Sequence, residues 1–134
     1  MKRRFEILIF TFLLLCVQLV HPKEEPKDEL AGAQAAAKEN LRTTEGCRYD
    51  QIISEEFPVK YQTSMQRCTK SAAEKDLANF EVLMKIGVDG GVTKAFVSPP
   101  TKVALCLRED VLKGNFTPPP KPAYWVKVEM LITE

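Results

Sequence analysis

The apolar positions of this chain change period several times, and each change marks an element. From Ile7 to Val20 the chain is apolar over 14 residues, with only Thr11 and Gln18 polar, and Lys2, Arg3 and Arg4 precede the run. Residues 21–48 then lose the pattern: Lys23 to Glu29 is charged around Pro26, Ala31 to Ala37 is alanine-rich, and Leu30 and Leu41 are the only large apolar residues between Asp28 and Arg42. That composition reads as a polar Ala/Glu/Lys linker, a marginal helix at most, because it has little to bury. Beyond Tyr49, Tyr61, Met65, Cys68 and Ala72 fall on one helical face. Proline is tolerated in the first turn of a helix but not inside one. The spacing therefore predicts a helix from about Pro58 to about Lys75.

The period then drops to two. Phe80, Val82, Met84 and Ile86 alternate with Glu81, Leu83 and Lys85, a strand with one buried face. Asp89-Gly90 follows and predicts a hairpin with positive φ, Val92 to Val97 returns as a second strand, and Ser98-Pro99-Pro100 ends it. Thr101 is a good N-cap for a second helix with Val103, Ala104, Leu107 and Val111 on its buried stripe and Gly114 past its end. Pro118-Pro119-Pro120 makes an extended connector, and a last strand alternates from about Ala123 to Ile132. The order helix, strand, strand, helix, strand predicts an α+β fold: a small antiparallel three-stranded sheet with two helices packed on one face.

The basic start and apolar run fit a secretory signal over residues 1–20, and a run of this length is short for a membrane anchor, which stands as the second choice. Cys16 lies within the run and reads as an ordinary apolar residue of it. The chain is then a linker over 21–48 and one domain over 49–134, periplasmic or secreted. Lys plus Arg number 19 against 18 for Asp plus Glu, without the basic surplus of a nucleic-acid binder. The single histidine, His21, falls at the end of the targeting segment, which argues against a Ser-His or Cys-His nucleophile pair and a His-bearing metal site. Glu55-Glu56 and Glu109-Asp110 are adjacent pairs, and adjacent residues do not face each other on a helix, so they do not make a general acid/base pair. The pattern points to no enzyme and no cofactor. Asn115-Phe116-Thr117 matches a glycosylation sequon, but Pro118 directly after it makes this a chance match.

Cys68 to Ile132 resembles the TonB C-terminal domain, in the variant seen in AgmX/PglI-type proteins. The matching features are the helix cysteine Cys68, the strand end Ile86-Gly87-Val88-Asp89-Gly90-Gly91-Val92, Cys106-Leu107 in the second helix, Phe116 and Pro118 as an F-x-P element, and the final alternating strand. The connection after Cys68 is shorter than the pattern and Cys47 lies outside it. The resemblance implies that the last strand, with Tyr124, Trp125, Val126, Lys127, Val128, Glu129 and Met130, pairs with an extended segment of an envelope or outer-membrane protein, in a setting of transport.

Cysteines of an exported chain tend to pair, and three lie beyond the signal. Cys68 and Cys106 are expected on two helices sharing a sheet face, which favours a disulfide between them and leaves Cys47 as an odd thiol, free or joined to a second copy; Cys47 with Cys68 is the rival pairing. No C-x-x-C occurs, so a thioredoxin-like redox site and a zinc knuckle drop out. Trp125 points away from the core set of the last strand and is either a binding-surface residue or a cover for the sheet. Three functions compete: a binding module that adds a partner strand to its sheet, a disulfide-held scaffold protein of the envelope, and a secreted small inhibitor, the last weakened because no Gln-x-Val-x-Gly hairpin is present.

Overall fold

The computed structural model describes residues 27–133; the expected signal over residues 1–20, with Cys16, and His21 lie outside the described residues. The elements are α1 (Lys27–Asn40), α2 (Thr44–Thr69), a short 3₁₀ turn (Glu74–Asp76), β1 (Phe80–Ile86), β2 (Val92–Ser98), α3 (Lys102–Val111) and β3 (Tyr124–Met130). The strands form one antiparallel sheet in the order β2-β1-β3. β1 is central, with Leu83 opposite Phe96 of β2 and opposite Lys127 of β3. The fold is α+β, and α2 and α3 share one face of the sheet as expected. A third helix, α1, covers the other face.

The principal core lies between the sheet and α2/α3. Val82, Met84 and Ile86 of β1, with Tyr124 and Val126 of β3, meet Ile53, Phe57 and Tyr61 of α2 and Val103, Leu107 and Val111 of α3. Phe116 packs into the same core against Phe57, with ring centroids 6.3 Å apart and planes 7° apart. The connector after it is tied to α2: the Tyr49 hydroxyl donates to the Thr117 carbonyl at 2.7 Å, and the Thr117 amide donates to Glu56 at 3.2 Å.

α2 runs well before the expected start, with Pro58 inside it. An interior proline costs about 3 kcal/mol through its missing N–H and its clash with the preceding turn. The turns before Pro58 bury Tyr49, Ile53 and Phe57, and each large apolar side chain taken from water contributes roughly 1.5–3 kcal/mol. Burial therefore outweighs the proline, which sits exposed on the outer face. Thr43 caps the helix, its hydroxyl accepting from the Gly46 amide at 2.9 Å. At the far end the helix stops at Thr69, six residues short of the expected end at Lys75.

α1 overturns the linker expectation for residues 27–40. Asp28 and Glu29 in its first turn and Lys38 in its last complement the helix dipole. The helix supplies small side chains, Ala33 and Ala37, and the sheet supplies the large ones, Leu83, Phe96 and Trp125. Small residues on the inner stripe let the helix lie close to the sheet, so the buried area comes from the strand side. The polar flanks of this contact are matched as well: Gln34 bonds Glu81, and Lys94 pairs with Glu29.

The hairpin between β1 and β2 turns where Asp89-Gly90 predicts. Gly90 has φ +89°, and a Cβ placed there would lie 1.9 Å from the Phe116 carbonyl oxygen. The Gly90 carbonyl also accepts from the Phe116 amide at 2.9 Å, so the turn anchors the start of the proline connector. Gly90→Val is expected to lower stability by more than about 1 kcal/mol, the scale of a left-handed conformation forced on a β-branched residue, with the clash added to it. Thermal and urea unfolding check this; an unchanged midpoint refutes the requirement.

Candidate binding edge and the disulfide

β3 has β1 on one side only, so its other edge is a row of backbone groups without a strand partner. Which groups face outward follows from the ladder. Neighbouring residues of an antiparallel strand alternate between bonding the partner and pointing away. Thr93 donates its hydroxyl to the Lys85 carbonyl at 3.2 Å, and the Gly87 amide donates to the Gly91 carbonyl at 2.8 Å, so the odd-numbered residues of β1 face β2. The even-numbered ones then bond β3, pairing Val82 with Val128 and Met84 with Val126. On β3 the amides and carbonyls of Trp125, Lys127 and Glu129 therefore point outward. The Trp125 carbonyl confirms this phase, because Asn40 donates its side-chain amide to it at 2.9 Å from outside the sheet.

Asn40 is placed there by the turn between α1 and α2. A Cβ at Gly46 would lie 1.7 Å from the Asn40 carbonyl oxygen, so the glycine lets the two helices approach at this corner. The outcome is a groove of about 580 Å³ along β3, walled by Gln34, Ala37 and Lys38 of α1 and by Gly46 and Asp50 of α2. Tyr124, Trp125, Val126, Lys127 and Glu129 form its floor. A second groove of about 570 Å³ lies at the end of β3, lined by Pro58, Val59 and Met65 of α2 and by Met130, Leu131 and Ile132.

Charge in the first groove is unevenly satisfied. Lys127 bonds Glu129 at 2.9 Å and lies 3.9 Å from Glu81; the Glu129 bond and the surrounding carboxylates raise its pKa above the usual lysine value. Asp50 has no such match. Burial raises its carboxyl pKa, opposed only by the more distant Lys127 charge, and no hydrogen bond reaches it among the described residues. Burial likewise raises the Tyr124 hydroxyl, with Asp50 and Glu45 adding to the shift.

Of the residues singled out in the final strand, Tyr124 and Val126 are buried in the main core, while Val128 and Met130 pack against its border. Trp125 is a sheet cover: it stacks on Phe96, centroids 5.7 Å apart and planes 9° apart, beneath α1. Lys127 and Glu129 are exposed at the edge. The α1 wall and Asp50 escaped the sequence reading. The signals that mark them are the capping Thr43 and the four-residue recurrence of Tyr49, Ile53, Phe57 and Tyr61.

Cys68 and Cys106 form a disulfide with Cα atoms 5.7 Å apart, joining the last turns of α2 to α3, and Cys47 is a free, exposed thiol. The Cys47 thiol donates to the Leu41 carbonyl at 3.0 Å. Beside the disulfide, Arg67 pairs with Asp110 at 2.6 Å, and hydrogen bonds from Ser64 and Arg67 hold the Asp110 carboxyl below its usual pKa. Among the described residues no cluster of His, Cys, Asp or Glu has the makings of a metal site, and no helix is long and apolar enough to cross a membrane.

Comparison with family models, with curated proteins and with solved structures finds no match to this chain.

Two outcomes follow from this geometry. The disulfide closes a loop with a sequence separation of 38. Removing that constraint from the unfolded chain costs about 3–4 kcal/mol of stability. Reduction is therefore expected to lower the denaturant midpoint, and non-reducing peptide maps to show Cys68 joined to Cys106 with Cys47 alkylated in the native protein. A Cys47–Cys68 peptide contradicts the pairing. For Asp50, a carboxyl whose folded pKa is raised binds its proton more tightly in the folded state, so ionisation costs stability as pH rises through the folded pKa. Asp50→Asn is expected to raise the melting temperature at pH 7, and the gain is expected to vanish below the ordinary carboxyl pKa of about 3.9. Melts at pH 7 and pH 3 measure the difference.

Proposed function

We propose that this chain is an exported cell-envelope protein whose folded part is a TonB-like binding module, and that it captures an extended segment of a partner protein by adding it as a fourth strand beside β3. The observation that carries this reading is the outward row of Lys127 and Glu129 backbone groups next to a groove of about 580 Å³. Backbone bonds along such an edge supply affinity, and alternate side chains supply selectivity. Both faces of the sheet are covered, by α1 on one side and by α2 and α3 on the other, which leaves edge pairing as the route by which a partner reaches the sheet. The disulfide is compatible with an oxidising, exported setting. The resemblance of Cys68 to Ile132 to the TonB C-terminal domain supplies the partner class, an envelope or outer-membrane protein. The role in transport that goes with that class is confined to partner capture.

A second reading is favoured by one observation. Cys47 is free and exposed, as a scaffold protein joined to a second copy through a disulfide requires. Non-reducing electrophoresis of envelope material separates the two readings: a dimer lost on Cys47→Ser supports the scaffold, and a monomer supports the binding module.

Paired proline substitutions test the docking edge. The Val128 amide bonds β1 and the Lys127 amide points outward, so proline at the two positions removes different bonds. Val128→Pro is expected to unfold the domain or melt it far below wild type. Lys127→Pro is expected to keep a native circular dichroism spectrum and to lose partner capture from envelope extract. A folded Lys127→Pro protein that captures what wild type captures means that β3 is not the docking edge.

A further inference from the structure

The two grooves beside β3 differ in charge, and their order along the strand constrains what can lie there. The first follows Tyr124 to Glu129; the second begins at Met130. A chain paired along β3 and beyond it would pass the first groove and then the second. In the first groove Asp50 is a partly buried carboxylate that accepts no hydrogen bond among the described residues. Glu129 stands exposed on the floor, sharing Lys127 with Glu81. Of the two lysines that line this groove, Lys127 is committed to those carboxylates, and Lys38 belongs to the α1 wall whereas Asp50 belongs to the α2 wall. The Asp50 carboxylate is in part open to solvent and gains a charge-assisted hydrogen bond when a cation reaches it. No charged side chain lines the second groove: Val59 of α2 and Leu131 beyond β3, 80% and 72% exposed, line it together with Met65, Gln62 and Gln66. Large apolar side chains exposed on both walls of one groove mark a surface that gains from being covered.

Resting on the β3 docking reading, we propose that the captured segment is bipartite: it presents a lysine or arginine side chain to Asp50 in one half and a large aliphatic side chain between Val59 and Leu131 in the other. The spacing follows from strand geometry. Asp50 and Val59 lie nine residues apart on α2, about 13.5 Å at ~1.5 Å per residue, and a chain paired beside β3 advances about 3.3 Å per residue, so the two side chains stand roughly four residues apart. The charged contact is the selective one, since a carboxylate in place of the cation would meet both Asp50 and Glu129. The aliphatic contact is the less discriminating, because it depends on area.

Synthetic ten-residue peptides provide the probe. Each alternates threonine with one lysine and one leucine four residues apart, made in both orders. The controls replace lysine by glutamate or leucine by threonine. Binding to the purified protein is measured by calorimetry at low salt. Expected is at least a tenfold preference for the lysine peptide over its glutamate counterpart in one of the two orders. Asp50→Asn is expected to shrink that preference to within about threefold, and Val59→Asp or loss of the leucine to weaken binding tenfold. Lys127→Pro serves as the separate control for the edge. If lysine and glutamate peptides bind alike and Lys127→Pro abolishes both, the bipartite chemistry is wrong and the docking edge stands. If Lys127→Pro leaves peptide binding intact, the edge reading fails as well. Absence of binding by any peptide at millimolar concentration overturns the proposed partner chemistry, and the docking edge is then decided by capture from envelope extract. A charge preference that survives Asp50→Asn overturns the assignment of the cation to this carboxylate.

Discussion

Val82, Leu83, Met84 and Ile86 of β1 are withdrawn from water altogether, and successive residues of a strand face opposite sides of its sheet. A three-stranded sheet with such a centre has to be dry on both faces. The face carrying Val82, Met84 and Ile86 receives α2 and α3, and the face carrying Leu83 receives α1. Most other features serve this two-sided cover. The long α2 reaches back past Pro58 so that Tyr49 and Ile53 cover the β3 side. Gly46 permits the tight corner that returns α1 over the second face. Phe116 fills the space between α2 and the end of the sheet and draws the proline connector against the helix through Tyr49 and Glu56.

Covering both faces leaves only edges, and the structure sets β3 apart through what flanks it. Asn40 satisfies one outward carbonyl, at Trp125, and stops there. Lys127 and Glu129 remain with charged, exposed side chains, which is how isolated proteins discourage promiscuous strand pairing. The same two side chains give the edge its chemical character. The disulfide lies elsewhere, between the last turn of α2 and the middle of α3, where it holds the helix layer together without touching the groove.

The strands were legible because their evidence is local. Alternation from Phe80 to Ile86, the Asp89-Gly90 turn and the Thr101 cap each depend on a few adjacent residues, and all three hold. The cysteine pairing was legible because it needs only the helix assignments and a shared face. The helices on the N-terminal side were not. Pro58 misplaced the start of α2 because its cost is local whereas the compensating burial of Tyr49, Ile53 and Phe57 is tertiary. α1 was missed for a related reason. A helix whose inner stripe is alanine shows little amphipathic pattern of its own, and its bulk is supplied by Leu83, Phe96 and Trp125, the last of them 92 residues beyond Ala33. The odd-numbered positions of the strands hold the counterpart signal: Leu83 and Trp125 are large apolar residues on the face expected to be polar. The groove depends on both misplaced helices, so the sequence pointed to the edge and not to its walls.

Folding α1 onto the sheet also alters the geometry of attachment. Read as an extended tether, residues 21–48 would span roughly 90 Å at ~3.3 Å per residue. With Lys27 onward built into the domain, only the six residues 21–26 separate it from the apolar run that ends at Val20, a reach of at most about 20 Å. Were that run retained in a bilayer, the domain would be confined to within about 20 Å of the membrane surface.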